Sequence, residues 1–596
     1  MNIFSACDIV PTMKQKLLIL LAFLIAAFLA FGHSLYQGFA PVDDIFLIVE
    51  NLAIRGMSWE NLKHVFTTYD PELYIPLVFV SFQINWLISG LEPFGFHLTN
   101  ILLHVANSLL VFGVLKQLTG EKKLSLLAGL IFAVHPLNAE AVVWLAGRKD
   151  LLSAVFFLGS LFLYLNSLKI WNPPSAGIRY LESTTQSLLS QSKGYSLLTR
   201  TYFFSILFFL LALLSKIIAV TLLGVIILHM LLIERGRFDK SKIIRLSPYV
   251  ILSVIFMAVA MGGKGRVVAA VGLWDKVLVA CKSSIFYIQK LLFPTDLTII
   301  YPLQGDISLW SSRIFPYFIL TFLLAWIALR SWRKHPWITF GIGWYISTLA
   351  PTYLNIGKAG LVFFAVDRYA YLPMIGLLYI FVCVLSRTKS SVPIFQYSNI
   401  RIPEVVSLIV GSLLIIVLVV ISQVQTRTWD TPEGVFLRTL EIYPDSIGAR
   451  VGLSTIYRRQ NKLTESFEVL REGLKNGNHM LLELHAGYVY AATGQVGDAE
   501  ARFKAAAEMD PDHPEPYFSL GSLYEQTGSS QDVIPLYEKA IELDDSYVIA
   551  RARLGNLYLE EGRVEEAKEQ FEKALEWNKF SVEANKGMEE LYLMQK

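Results

Sequence analysis

Apolar residues in the first 423 positions fall into long uninterrupted runs, and beyond that point they fall into a sparse recurring pattern within a polar chain. The runs lie at 17–31 and at about 97–115, 124–134, 151–168, 202–214, 217–233, 246–261, 314–329, 337–350, 370–385 and 404–422. Each has the apolarity of a bilayer-crossing helix, some short or kinked, so the pattern predicts about eleven spans. The first run follows Lys14 and Lys16 and lacks a small-residue cleavage pattern, which predicts a retained span rather than a signal peptide. The segment 76–89 is apolar but short and follows a polar loop, which suits an interfacial or re-entrant helix.

Downstream, Tyr517, Leu520, Gly521, Tyr524, Gly528, Tyr537 and Ala540 set a pattern. It recurs 34 residues later at Leu554, Gly555, Tyr558, Gly562, Phe571 and Ala574, and 34 earlier at Gly487, Tyr490, Gly494, Phe503 and Ala506. Alternating small and large positions at this period interlock pairs of antiparallel helices, and the pattern resembles the tetratricopeptide repeat. Units at 480–513, 514–547 and 548–581 are in phase. A fourth, 447–479, is degenerate, with Leu453 and Tyr457 in place and Asn461 where the turn glycine belongs. Residues 424–446 read as a connecting half repeat and 582–596 as a capping helix. The fold expected is therefore all-α, a polytopic membrane bundle over 1–423 followed by a repeat solenoid. Such a solenoid holds an extended peptide on its concave face or serves as a spacer.

Composition sharpens the division. The chain is 54% hydrophobic and 17% charged, with mean hydropathy +0.48, outside the range of an ordinary soluble domain. Residues 424–596 carry 30 acidic and 19 basic groups, net −11, while the first part is net +14. Its basic residues sit in connections between apolar runs, which argues for positive-inside orientation and against nucleic-acid binding. Lys122 and Lys123, the 169–200 connection, 235–242, 330–334 and 387–401 fall on one side in this count. The repeats are then expected on the other, extracytoplasmic side. Cys7, Cys281 and Cys383 have neither a disulfide framework nor metal spacing.

Candidate chemistry gathers at the outer span ends. Asp43 and Asp44 follow the first span; a carboxylate there can take the proton of an acceptor hydroxyl attacking a sugar. Adjacent residues on a helix diverge by about 100°, so at most one is the base, and Asp43 could instead cap a helix running to Asn51. His97, Asn100, His104 and Asn107 form a polar stripe on one span, serving either a binding cavity or interhelical hydrogen bonds. His135, Glu140, Arg148 and Asp150 crowd between two spans, where His135 and Glu140 can line a cavity and Arg148 can meet a phosphate or pair with Asp150. Lys216 and Asp367-Arg368-Tyr369 add candidate phosphate ligands, with span-end anchoring as the alternative for the cations. Lys264 and Arg266, in a glycine-rich stretch, rank below them.

These motifs resemble the transmembrane and tetratricopeptide-repeat-containing O-mannosyltransferases and their prokaryotic relatives of the GT-C class. The stretches that carry the resemblance are Asp43-Asp44, 93–100 with His104, 132–136 with Glu140, Gly147-Arg148-Lys149-Asp150, Leu214-Ser215-Lys216, and Asp367-Arg368-Tyr369 with Tyr371-Leu372-Pro373. The resemblance implies an integral membrane glycosyltransferase using a polyprenyl- or dolichyl-phosphate sugar, typically mannose, with a catalytic carboxylate in the acidic first-loop motif. The partners it implies are the lipid-phosphate sugar and an acceptor protein or peptide met by the repeats, in a bacterial inner membrane or an endoplasmic reticulum. No cofactor is required by the pattern, and metal dependence stays open. The chain departs from the family at Ile75-Pro76-Leu77, where a basic residue often precedes the proline, and at Ile217, where a more polar residue often follows the lysine. A non-catalytic membrane-anchored scaffold is the competing reading. A transporter is disfavoured by the concentration of charge at outer span ends.

Overall fold

A computed structural model describes residues 12–41, 43–69, 73–171, 184–234, 239–264, 272–305, 307–354, 357–358, 361–391, 402–528 and 532–594. The expectations placed on Cys7, on Gly265 and Arg266, and on charges within 172–183, 235–238 and 392–401 lie outside these residues.

Every apolar run is helical. Among the described residues, five helices are long and apolar enough to cross a membrane, namely Met13–Tyr36, Pro93–Thr119, Leu145–Leu168, Lys240–Gly262 and Ile409–Arg427. A sixth span forms if Lys122–Val134 and Pro136–Val143, bent by 51°, count as one. The break sits at His135-Pro136, where proline cannot continue the helical hydrogen-bond ladder. The remaining apolar helices, including Arg200–Ser215, Ile217–Leu232, Phe315–Ser331 and Pro373–Arg387, are shorter. Pro76–Ser89 is a separate 14-residue helix ended by Gly90.

The bundle is dressed for lipid rather than water. Ile409, Val410, Leu413, Ile416, Val417 and Val420 are exposed along one helix, and Leu17, Leu18, Ile25 and Leu29 along another. Polar residues turn inward, and several bond one another there, as where the Ser205 hydroxyl bonds both Ser160 and Tyr249. Close helix contact relies on small residues. A Cβ on Gly376 would lie 2.5 Å from the Gly341 carbonyl oxygen, so helices Pro336–Leu349 and Pro373–Ser391 meet backbone to backbone.

The repeat half is a right-sized stack of helix pairs, Ile447–Arg459 with Leu463–Leu474 through Val548–Glu560 with Val564–Trp577, closed by Val582–Met594. Its sequence period has a direct physical cause. Cβ atoms on Gly487, Gly521 and Gly555 would stand 2.5, 2.7 and 2.6 Å from the rings of Phe503, Tyr537 and Phe571. Each glycine therefore makes room for the aromatic residue of its partner helix. The turns between paired helices take positive φ at Gly494, Gly528 and Gly562, and Asn461 adopts the same conformation at φ 60° in the degenerate unit.

The repeats leave the bundle beside the end of the first helix. Gln37 Nε2 donates to the Thr426 carbonyl at 2.9 Å and to Asp430 Oδ1 at 2.6 Å, and His33 Nε2 lies 2.9 Å from the same carboxylate. The array thus stands on the face of the bundle that carries Asp43. Its far end returns to that face, where the Phe580 ring meets His64 edge-on at 4.7 Å. A small antiparallel sheet of Tyr301–Pro302, Leu361–Ala365 and Gly357–Lys358 lies between the two halves.

Candidate functional site

Asp43 and Asp44 diverge as neighbours on a helical turn must. Neither side chain caps the following turn, Ile45–Val49, which is π-helical. Asp44 is fully buried, and its carboxylate accepts from the Ala40 N–H at 2.9 Å and the Ala146 N–H at 2.8 Å, tying the first loop to the 144–150 segment. Burial pushes this carboxyl up to about 7 against the opposing pull of those two N–H groups. Asp43 has a side chain 44% exposed, and its Oδ2 lies 3.6 Å from Lys149 Nζ.

Facing Asp43 is a compact set of cations and aromatic rings. Gly147 allows the chain to fold tightly over the short helix Ala139–Val143, because a Cβ there would lie 2.6 Å from the Ala141 carbonyl oxygen. The turn presents the Trp144 ring with Lys149 Nζ 4.8 Å from its centroid and the Arg368 guanidinium at the same distance. Arg368 also lies 5.3 Å from the Tyr369 ring, and Lys216 Nζ reaches within 5.8 Å of that ring. Two carboxylates hold two of these cations in place. Glu140 accepts from the Arg368 N–H at 2.8 Å and pairs with its guanidinium, while Asp150 Oδ1 accepts from Lys216 Nζ at 2.5 Å. Buried Asp367 accepts from the Tyr301 hydroxyl at 2.6 Å. Burial, with Glu140 nearby, pushes the Asp367 carboxyl well upward. Two polar atoms here are buried without a hydrogen-bond partner, Trp144 Nε1 and Asp150 Oδ2. An unsatisfied donor beside three cations is suited to an oxygen-rich anionic ligand.

The arrangement brings together Asp43, Glu140, Asp150, Lys216, Arg368 and Tyr369, and leaves other sequence candidates elsewhere. Arg148 is fully buried on the opposite flank. Its Nε donates to Asn100 Oδ1 at 2.8 Å, its fork reaches Asn85 and the Phe96 carbonyl, and its plane lies between the rings of Phe82 and Phe96. It neither faces a ligand cavity nor pairs with Asp150, because every direction of its fork is used within the protein. Lys149, one residue on and about 100° around the helix, holds the position expected of Arg148.

The histidines are likewise structural. His104 bonds the Tyr371 hydroxyl at 2.7 Å and the Ala133 carbonyl at 3.0 Å. His135 accepts from the Leu137 N–H and meets the Leu291 carbonyl at 3.1 Å. His97 meets the Gly38 carbonyl at 3.4 Å, leaving Nδ1 unpaired. Asn100 donates to the Val142 and Trp144 carbonyls, and Asn107 to that of Leu151. The two asparagines therefore sew their helix to the 142–151 segment and the two histidines tie it to Gly38, Ala133 and Tyr371, the interhelical alternative for such a pattern. Among the described residues, no three His, Cys, Asp or Glu side chains group as a metal site.

Trp144, Lys149 and Tyr301 adjoin these residues; in the sequence Trp144 and Lys149 stand within the crowded 135–150 segment with no role of their own, and Tyr301 is not marked at all. The signal for the first two was the density of the 135–150 segment itself, whereas nothing near Tyr301 in sequence marks it.

Comparison with known proteins finds similarity over part of the chain. Models of the tetratricopeptide repeat match residues 484–548 and 528–588. Protein O-mannosyl-transferase tmtc2 of Xenopus laevis is 46% identical over 92 residues, 15% of this chain and 11% of that protein. Human Protein O-mannosyl-transferase TMTC3 is 34% identical over 158 residues, 24% of this chain and 17% of that protein. Mouse TMTC4 is 38% identical over 163 residues, 24% of this chain and 22% of that protein. The matched stretches thus span under a quarter of each of these relatives. Among solved structures, the TPR protein YrrB, described as having an unusual peptide-binding site, is 19% identical with a TM-score of 0.23, covering 27% of this chain and 83% of its own. MamA is 19% identical with the same score over 26% of this chain and 94% of its own. The chain thus matches tetratricopeptide-repeat models over 484–588 and is similar, over about a quarter of its length or less, to the protein O-mannosyl-transferases TMTC1 to TMTC4.

Proposed function

We propose that this protein is a membrane-embedded glycosyltransferase that moves a sugar, mannose by its relatives' names, from a polyprenyl- or dolichyl-phosphate donor to a hydroxyl of an acceptor protein. The observation that carries this reading is the placement of one half-exposed carboxylate, Asp43, opposite Lys149, Lys216 and Arg368 around Trp144 and Tyr369.

In the proposed reaction, Asp43 takes the proton of the acceptor hydroxyl as its oxygen attacks the anomeric carbon. The bond from that carbon to the phosphate oxygen breaks, and its electron pair leaves with the lipid phosphate. Negative charge grows on the departing group, where the three cations are already held, so little reorganisation is needed in the transition state. The indole N–H of Trp144 is free to donate to a phosphate or sugar oxygen. Asp44 acts as a positioning residue, since its carboxylate joins the loop bearing Asp43 to the segment bearing Trp144 and Lys149. Attack from the face opposite the leaving phosphate inverts the anomeric centre.

The repeats are read as holding the acceptor polypeptide or a partner on the same side as the site. Lys122, Lys123 and 330–334 at the opposite helix ends support, by the positive-inside rule, a reading in which both lie outside the cytoplasm. The test is reconstitution with polyprenyl-phosphate mannose and a protein acceptor. Mass-spectrometric gain of one hexose on the acceptor, dependent on Asp43, supports the reading, and its absence with folded protein argues for the scaffold alternative.

A further inference from the structure

The first helix of the repeat half, Gly434–Ile442, is joined to the charged site by an unbroken run of buried contacts. Thr439 and Thr298 meet hydroxyl to hydroxyl. The Thr298 N–H donates to Tyr301 Oη at 3.1 Å, and the Tyr301 hydroxyl donates in turn to Asp367 Oδ1 at 2.6 Å. Asp367 adjoins Arg368, whose backbone and guanidinium are both held by Glu140. Thr439, Thr298, Tyr301 and Asp367 are each at least 98% buried, so water cannot replace a lost partner. The Tyr301 ring packs edge-on against Tyr443 of the repeat half at 6.1 Å.

The same sheet is gripped from a second side. Tyr301 pairs with Ala365 on the strand Leu361–Ala365, which runs directly into Asp367-Arg368. At the other end of that strand, Leu361 packs among Ile447, Val451 and Leu481 of the first two repeats. A Cβ on Gly448 would lie 3.1 Å from Leu361 Cδ1, so the contact is close. Arg368 therefore hangs from a sheet whose hydrogen bonds and apolar edge both end on the repeats.

We propose that Tyr301 is a positioning residue that ties Arg368 to the helix leading into the repeats, so that the repeat half sets the cation facing the donor phosphate. This rests on the reading of Arg368 as a phosphate contact. It gives the repeats a role at the chemical centre, in addition to holding a polypeptide.

The experiment uses full-length protein in nanodiscs and two variants, Tyr301→Phe and Thr439→Val, singly and combined. Tyr301→Phe keeps the ring and removes the hydroxyl that Asp367 needs. Each single variant is expected to lower turnover with a short peptide acceptor by about tenfold while KM for the peptide stays within about twofold, and the double variant is expected to fall no further than the worse single. Unchanged turnover in Tyr301→Phe, or losses that multiply in the double variant, overturns the proposal. Hydrogen exchange gives a readout that needs no catalysis. Thr439→Val is expected to speed amide exchange at 365–371, and unchanged exchange there overturns the coupling whatever the activity. Wild-type protein that shows this coupling but transfers no sugar would overturn the glycosyltransferase reading alone.

Discussion

Lys216 and Asp150 join the end of one apolar helix to the start of another, Nζ to Oδ1 at 2.5 Å, with the lysine side chain 15% exposed and the aspartate 8%. Such a pair is held in low dielectric, where removing one partner leaves an uncompensated charge. Lys216→Met is expected to destabilise the protein by about 3 kcal/mol. The double variant Lys216→Met with Asp150→Asn is expected to recover most of that loss. Its transfer activity should nonetheless stay about tenfold or more below wild type, because the cation that faces the phosphate is gone. Thermal melting and transfer rates on the four proteins check both statements. Recovery of stability and activity together would reduce Lys216 to a structural anchor.

Arg148 should behave in the opposite way. Its guanidinium supports Asn100, Asn85 and the Phe96 carbonyl between two rings and touches no cavity. Arg148→Met is expected to cost about 3 kcal/mol or more by stranding buried acceptors, and Arg148→Lys to rescue it poorly because an ammonium cannot span the fork. Variant protein that does fold should keep its KM for the lipid donor. A melting temperature unchanged from wild type would contradict this assignment.

That contrast shows what the sequence made legible. The crowding of ionisable residues at 135–150 pointed to the candidate site, and the small-large period of the repeats located the solenoid, because both are consequences of local packing. Which of Arg148, Lys149 and Asp150 turns toward Asp43 was not legible. Successive residues differ by about 100° around a helix, and the phase here is set by Phe82 and Phe96 on other helices. The histidine stripe could be read as polar and inward, but its partners, the Gly38 and Ala133 carbonyls and the Tyr371 hydroxyl, lie far away in sequence. Tyr301 sits 66 residues before the carboxylate it serves.

Asp44 gives a pH signature. Its folded carboxyl is raised to about 7 by burial, above the value of about 4 in an unfolded chain. The folded protein therefore binds this proton more tightly, and the stability it contributes is full below about pH 4 and lost as pH rises through about 7. Melting temperatures of wild type and Asp44→Asn, compared across pH 4 to 8 at constant ionic strength, are expected to differ in slope within that window, with the variant flatter. Parallel profiles would contradict the raised value.

The sidedness of the repeats is open to direct labelling. Gln526 is exposed on the array, while Cys281 and Cys383 are buried. A Gln526→Cys variant in intact cells or sealed vesicles of known orientation is expected to react with an impermeant thiol reagent from the extracytoplasmic side above the parent's background. Labelling from the cytoplasmic side alone would reverse the orientation, and with it the route by which an acceptor reaches Asp43.

The most direct test of the account is the transfer rate of Asp43→Asn. Asparagine keeps the shape of the side chain opposite Lys149 and removes its capacity to accept a proton. With polyprenyl-phosphate mannose and a protein acceptor, transfer is expected to fall by about 10²-fold or more, with melting temperature and donor binding close to wild type. Full transfer activity in folded Asp43→Asn protein would contradict the central claim that this carboxylate is the base of a sugar transfer.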